Sequence, residues 1–170
     1  MENDQYASPV LIRKNETIIL QRVPLMENVF NESWLQNLLF ENPTILPFSD
    51  LEPTFDGSLP IVREMGTGAG PVDLIYMNSK GYITLVETKL WRNPEARRSV
   101  VAQIIDYAKE IAEWSYEQFV EAIKRSSSDK SKSGDPLIDQ FSDMEGDDFD
   151  QIIFIDRVTR NLQKGRFLLL

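Results

Sequence analysis

The stretch that decides the fold is Val72-Asp73-Leu74-Ile75-Tyr76-Met77-Asn78-Ser79-Lys80-Gly81-Tyr82-Ile83-Thr84-Leu85-Val86-Glu87-Thr88-Lys89. Apolar, aromatic and β-branched residues dominate both halves, which predicts one strand over 72–77 and a second over Tyr82 to Trp91. Between them Ser79-Lys80-Gly81 suits a three-residue hairpin loop, with Gly81 supplying φ > 0. That loop pairs Asn78 with Tyr82, and counting back from there sets Asp73 opposite Glu87. Directly opposed side chains share a face, with Cβ atoms roughly 4.5–5.5 Å apart. Lys89, two residues beyond Glu87, points the same way.

One side of the hairpin therefore carries two carboxylates and an ammonium. Two adjacent carboxylates repel, and one tends to protonate unless a cation relieves the repulsion. Mg²⁺ suits such a pair, completing its octahedron with water and phosphate oxygens. A bound ion of this kind lowers the pKa of a water and offsets charge on a phosphate under attack. Lys89 is placed to orient that water or to meet developing negative charge.

Pro71-Val72-Asp73 followed after a hairpin by Glu87-Thr88-Lys89 resembles the PD-(D/E)XK nuclease superfamily, with Val72 inserted between Pro71 and Asp73. The resemblance implies that Asp73, Glu87 and Lys89 are metal-binding and catalytic, and that the backbone carbonyl of Thr88 joins the metal. Gln103-Ile104-Ile105-Asp106-Tyr107 is similar to the Q-x-x-x-Y element of RecB-like members. An i, i+4 pair lies on one helix face, which sets Gln103 and Tyr107 over the carboxylates; the bland alternative is a pair of boundary residues. Glu32 is the best counterpart of a glutamate that many members carry on the helix before the sheet. Its other reading is a first-turn acid favouring the helix dipole. The resemblance covers about residues 29–113. It implies a restriction-endonuclease-like core, a central mixed β-sheet flanked by helices.

Outward from the hairpin, residues 10–22 read as an N-terminal β-hairpin about Lys14-Asn15-Glu16. Residues 29–42 read as a helix through Trp34, Leu35, Leu38 and Leu39, capped by Asn28 or Asn31 and stopped by Asn42-Pro43. Trp34 and Trp114 are expected in or beside the core. Residues 43–60 read as a proline-punctuated loop, Ile61–Met65 as a strand, and Gly66–Gly70 as a flexible loop; that glycine run leads into a strand, so the dinucleotide fingerprint fails. Asn93-Pro94-Glu95 starts a helix reaching about residue 113 and burying Val101, Ile104, Ile105, Ala108, Ile111 and Ala112. A short helix follows over 116–125. Residues 126–148, with six serines and many acids, read as a flexible insertion. Helical spacing resumes over 149–164 through Phe149, Ile152, Ile153, Ile155, Val158 and Leu162, Gly165 fits a C-cap, and Phe167-Leu168-Leu169-Leu170 is an apolar strand. The expected class is α/β or α+β, with residues 1–28 as an extension and 29–170 as one domain. The apolar ending suggests the N-terminal piece of a longer protein.

The 170 residues include no cysteine and no histidine. Disulfides, thiolate zinc sites, Ser-His-Asp triads and histidine acid–base chemistry are thereby excluded. The net charge of −9 argues against a nucleic-acid partner on its own. Yet residues 126–150 hold eight acids and two lysines, a local −6 that leaves −3 for the rest. Around Lys89, residues Arg92, Arg97 and Arg98 face one acid, Glu95. Arginines at a helix start favour phosphate, and Trp91 could stack on a base; solvated surface charge is the plain alternative for Arg97 and Arg98. The polar, acidic start lacks a signal-peptide n-region, and no apolar run approaches a membrane span. A cytoplasmic protein is expected.

Together these readings predict a Mg²⁺- or Mn²⁺-dependent nuclease acting on DNA. The competing expectation is a catalytically silent module of the same fold, binding nucleic acid or protein within a larger repair or defence protein. Nothing in the sequence sets the oligomeric state, a homodimer included.

Overall fold

The computed structural model describes residues 9–14, 16–20, 30–89, 94–127 and 134–170. The chain divides into two compact units, Met1–Asn31 and Glu32–Leu170. The first is the expected hairpin: β1 (Val10–Arg13) runs antiparallel to β2 (Glu16–Ile19), with Arg13 opposite Glu16 across the turn. Its strands are exposed throughout.

The second unit is mixed α/β. A four-stranded sheet of order β3-β4-β5-β6 combines β3 (Leu59–Thr67), β4 (Gly70–Met77), β5 (Ile83–Val86) and β6 (Phe167–Leu169). The first two pairings are antiparallel and the last is parallel. The remaining elements are α1 (Glu32–Glu41), a one-turn α2 (Phe48–Leu51), α3 (Pro94–Ile111), α4 (Tyr116–Ser126), α5 (Pro136–Glu145) and α6 (Gln151–Gln163). Among the described residues no helix is long and apolar enough to cross a membrane.

Strand β4 is buried on both faces, which is why it reads as an almost continuous apolar run. On one face Leu74, Tyr76 and Val86 pack with Leu39, Phe48 and Phe55. On the other, Ile75, Met77, Ile83 and Leu85 meet Tyr107, Ile111, Phe119, Phe141, Phe154 and Val158 from the helices that follow β5. The sheet is the middle layer between two apolar clusters.

The β4–β5 register is the one that the loop length dictates. Leu74 pairs with Val86, Tyr76 with Thr84 and Met77 with Ile83. Asn78 closes the loop: its Oδ1 accepts from the amides of Lys80 and Tyr82, and its Nδ2 donates to the carbonyls of Thr54 and Asp56. Gly81 sits at φ 76°.

Several expectations are corrected. The strand expected over Tyr82 to Trp91 is only Ile83–Val86; the ladder to β6 carries on through the Glu87 amide, which donates to the Leu170 carbonyl at 3.0 Å. Leu90, Trp91, Arg92 and Asn93 lie outside the described residues, as does Asn28. The glycine run is no flexible loop. Gly68-Ala69 is the two-residue turn of the β3–β4 hairpin, and the Glu110 carboxylate accepts from both of its amides. Residues 43–60 hold α2 and two turns of 3₁₀ helix, Pro43–Ile45 and Pro53–Phe55.

The acidic insertion also contains an ordered element, α5. Asp135 caps it by accepting from the amides of Leu137 and Ile138, Pro136 takes the first position, and Leu137 and Phe141 are fully buried. Two buried side chains on a capped turn outweigh a polar average composition. In α3 the buried stripe is Ile104, Tyr107 and Ile111, whereas Val101 and Ile105 are exposed. In α6 it is Phe154, Val158, Asn161 and Leu162, whereas Ile152 is 81% exposed and Ile153 is also exposed. Trp34 is exposed too, while Trp114 packs against the core as expected.

Candidate metal centre

Extending the β4–β5 register by one residue sets Asp73 opposite Glu87, at the end of the hairpin away from its loop. By alternation both fall on the face of Ile75 and Leu85. Both are nearly buried, Asp73 at 8% exposure and Glu87 at 7%.

Their surroundings differ. Oδ2 of Asp73 accepts from the Thr88 amide at 2.6 Å and from the Thr88 hydroxyl at 2.7 Å. Neither carboxylate oxygen of Glu87 has a hydrogen-bond partner, although both are buried. The Lys89 ammonium lies 3.3 Å from Glu87 Oε1, an ion-pair distance without hydrogen-bond geometry. The same ammonium lies 3.5 Å from Oε2 of Glu32 at the start of α1. Lys89 thus bridges a buried acid on the sheet and a half-exposed acid on a helix.

Burial, and next to it the Asp73 carboxylate, push the Glu87 carboxyl above its ordinary range; Lys89 pulls it partly back. For Lys89 burial acts against the charge, but the carboxylates of Glu87 and Glu32 outweigh it and the pKa is raised. The ammonium is held charged by the acids around it.

Gln103 and Tyr107 stand one turn apart on α3, and Gln103 Nε2 donates to the Tyr107 hydroxyl. Burial raises the Tyr107 pKa, and the bond from Gln103 partly offsets it; Glu87 and Asp73 raise it further. Those charges place the phenol within electrostatic reach of the carboxylate pair. A Cβ built on Gly70 would come within 3.4 Å of the Tyr107 oxygen. The phenol thus lies close to the strand that carries Asp73, and the φ of 127° at Gly70 is what requires glycine at the head of β4.

Not every expected residue converges. Glu32 meets Lys89, and among the described residues no three acidic side chains come together closely enough to hold an ion. Arg92 and the side chains of Arg97 and Arg98 lie outside the described residues. Two features carried no sequence signal. One is the Thr88 bonding to Asp73. The other is Glu64, bracketed opposite Asp73 by the pairs Arg63–Leu74 and Met65–Val72, which adopts φ 51°. A left-handed non-glycine residue costs roughly 1–2 kcal/mol, so strained backbone lies one strand away from Asp73.

The donor set suits a hard divalent cation. It offers two carboxylates on neighbouring strands, one of them with both oxygens buried and without hydrogen bonds. No family model, no curated protein and no solved structure matches the chain.

Proposed function

We propose that this chain is a metal-dependent phosphodiesterase of the PD-(D/E)XK type, with the restriction-endonuclease-like fold and nucleic acid, DNA foremost, as substrate. The observation that carries the reading is the buried Glu87 carboxylate, free of hydrogen bonds, across from Asp73 and 3.3 Å from the Lys89 ammonium. Lys89 offsets only part of the cost of burying Glu87 beside Asp73, and a buried acid whose oxygens lack hydrogen bonds is not kept for stability, since desolvating a charge costs several kcal/mol.

Asp73 and Glu87 through their carboxylates and Thr88 through its carbonyl are the groups that would hold Mg²⁺ or Mn²⁺. When bound, the ion supplies charge compensation at the phosphate and acidifies a water. The Glu87 oxygens carry no hydrogen bond that would compete with the ion, though Lys89 stands 3.3 Å from Oε1. Asp73 is oriented by Thr88 and presents Oδ1. Lys89, charged, would donate to a phosphoryl oxygen as the water oxygen–phosphorus bond forms and the bond to the leaving sugar oxygen breaks; the proton of the attacking water passes to solvent, and the leaving oxygen takes one from solvent. Glu32 is the second acid at the ammonium, 3.5 Å from it. Gln103 and Tyr107, joined by a hydrogen bond on α3, would meet the substrate beside the carboxylates, and Arg92, Arg97 and Arg98 would bind the backbone of the nucleic acid.

Incubating the full chain with linear and circular DNA and Mg²⁺ or Mn²⁺ tests this. Cleavage is expected, falling at least about 100-fold in Lys89→Ala, the usual scale for losing a donor to developing negative charge. Calorimetric Mn²⁺ binding is expected in the wild type and lost in Asp73→Asn. No cleavage of any DNA or RNA form with either metal overturns the enzymatic reading. A second reading, a silent module binding nucleic acid or protein, draws on Lys89 being held between two acids; nucleic-acid binding without metal binding would favour it.

A further inference from the structure

At the loop end of the β4–β5 hairpin, away from Asp73 and Glu87, lies a cleft of about 400 Å³ lined by Lys80, Tyr82, Arg157, Arg160, Asn161, Lys164 and Arg166. Five of these seven are cations in a chain of net charge −9. They arrive from three places: Lys80 from the β4–β5 loop, Arg157, Arg160 and Lys164 from the second half of α6 and its C-cap, and Arg166 from the connection into β6. Spacings of three and four residues set Arg157, Arg160 and Lys164 on one side of the helix.

Internal pairing does not account for the cluster. Arg160 pairs with Asp156, and Arg166 lies over the Tyr82 ring, 4.7 Å from its centroid. Among the described residues Lys80, Arg157 and Lys164 have no ion-pair partner. Complementing the carboxyl end of α6 explains Arg160 and Lys164, but not Lys80 or Arg166, which belong to other segments. Like charges gathered in one recess repel each other, and an anion relieves the repulsion.

Two features set the class of anion. The Tyr82 ring is already engaged by Arg166 and by Phe55, whose centroid is 5.2 Å away, so the recess is poorly suited to stacking a base or sugar. What it offers is N–H donors, including guanidinium forks that match phosphate oxygens. The charges also converge on one recess: three lie along one side of α6 and its C-cap, and Lys80 and Arg166 reach it from other segments. The volume is near the lower end of small-ligand sites. Asn161 anchors the floor, its Nδ2 donating to the Gly81 carbonyl at 2.8 Å. We propose that this cleft binds a compact oligophosphate, the di- or triphosphate group of a small ligand, independently of the carboxylate site.

Titration of the full chain with inorganic tripolyphosphate at low salt, followed by calorimetry, tests the proposal. A mixed-sequence 12-mer oligonucleotide serves as the second probe. Saturable tripolyphosphate binding is expected, weakening steeply with salt and falling about tenfold or more in the double variant Arg157→Glu/Lys164→Glu. Both side chains are exposed, so the fold should persist, with an unchanged circular dichroism spectrum as the control. Lys80→Glu, on a different element, is expected to weaken binding in the same direction. Asp73→Asn is expected to leave it unchanged, which separates this site from the carboxylate centre. No tripolyphosphate binding, binding that survives the charge reversals, or binding of the oligonucleotide alone would each overturn the proposal.

Discussion

Thr88 donates both its amide and its hydroxyl to one oxygen of Asp73, at 2.6 and 2.7 Å. The residue between Glu87 and Lys89 thereby ties the end of β5 to the neighbouring strand and aims the Asp73 carboxylate. Removing the hydroxyl while keeping the shape isolates that role. Thr88→Val is expected to lower stability by about 1.5–3 kcal/mol, the range for a hydrogen bond to a charged group, and to weaken Mn²⁺ binding, with Thr88→Ser restoring both. Urea unfolding and calorimetry on the three proteins check this; equal metal affinity in all three would show that Asp73 needs no such aim.

Glu87 yields a pH-dependent prediction. Its folded-state pKa is raised, first by burial and then by Asp73, so the folded chain binds its proton more tightly than the unfolded chain does. The stability linked to that proton is full below the unfolded carboxyl pKa and is lost as pH rises through the folded one. In metal-free protein Glu87→Gln is therefore expected to raise the melting temperature at neutral pH, with the gain vanishing under acid conditions. Adding Mg²⁺ should reverse the order, because only the wild type gains binding energy. Melting curves at several pH values, with and without the ion, provide the measurement.

The left-handed conformation of Glu64 beside Asp73 is a position where glycine is at ease. Relief of the strain, less the entropy that glycine loses on folding, leaves a net gain of up to about 1 kcal/mol for Glu64→Gly. Chemical denaturation of both proteins tests the sign, and a loss of cleavage alongside the gain in stability would tie the strained backbone to the site.

Tyr107→Phe removes the acceptor of the Gln103 amide and little volume. The expected stability loss is small, about 0.5–1.5 kcal/mol. If the phenol works beside the carboxylates, cleavage falls by much more than that loss accounts for. A fall in cleavage matching the fraction unfolded would reduce Tyr107 to a packing residue.

The Asp73–Glu87 register was legible because it follows from a short loop: Ser79-Lys80-Gly81 leaves few ways to close, and Asn78 and Gly81 lock one of them. The α5 helix was missed, although Asp135-Pro136 carries the same start signal as Asn93-Pro94. The surrounding serines and acids hid it, because an average over a segment is blind to two buried residues. The buried stripes of α3 and α6 were not legible in detail. Apolar residues occur on more than one side of each helix, and only the neighbours decide which side is covered.

By itself the sequence determined what short-range free energies control: the β4–β5 hairpin and the hairpin at the amino end, the Pro94 helix start, the glycine at the end of α6, and the juxtaposition of two carboxylates across one tight loop. Tertiary structure alone decided what rests on distant segments. It brought Glu32 to Lys89, set Glu110 on the Gly68-Ala69 turn, and gathered Lys80 with the end of α6. Those partners lie tens of residues apart, where pairing depends on which apolar faces meet in the core and not on any local preference of the chain.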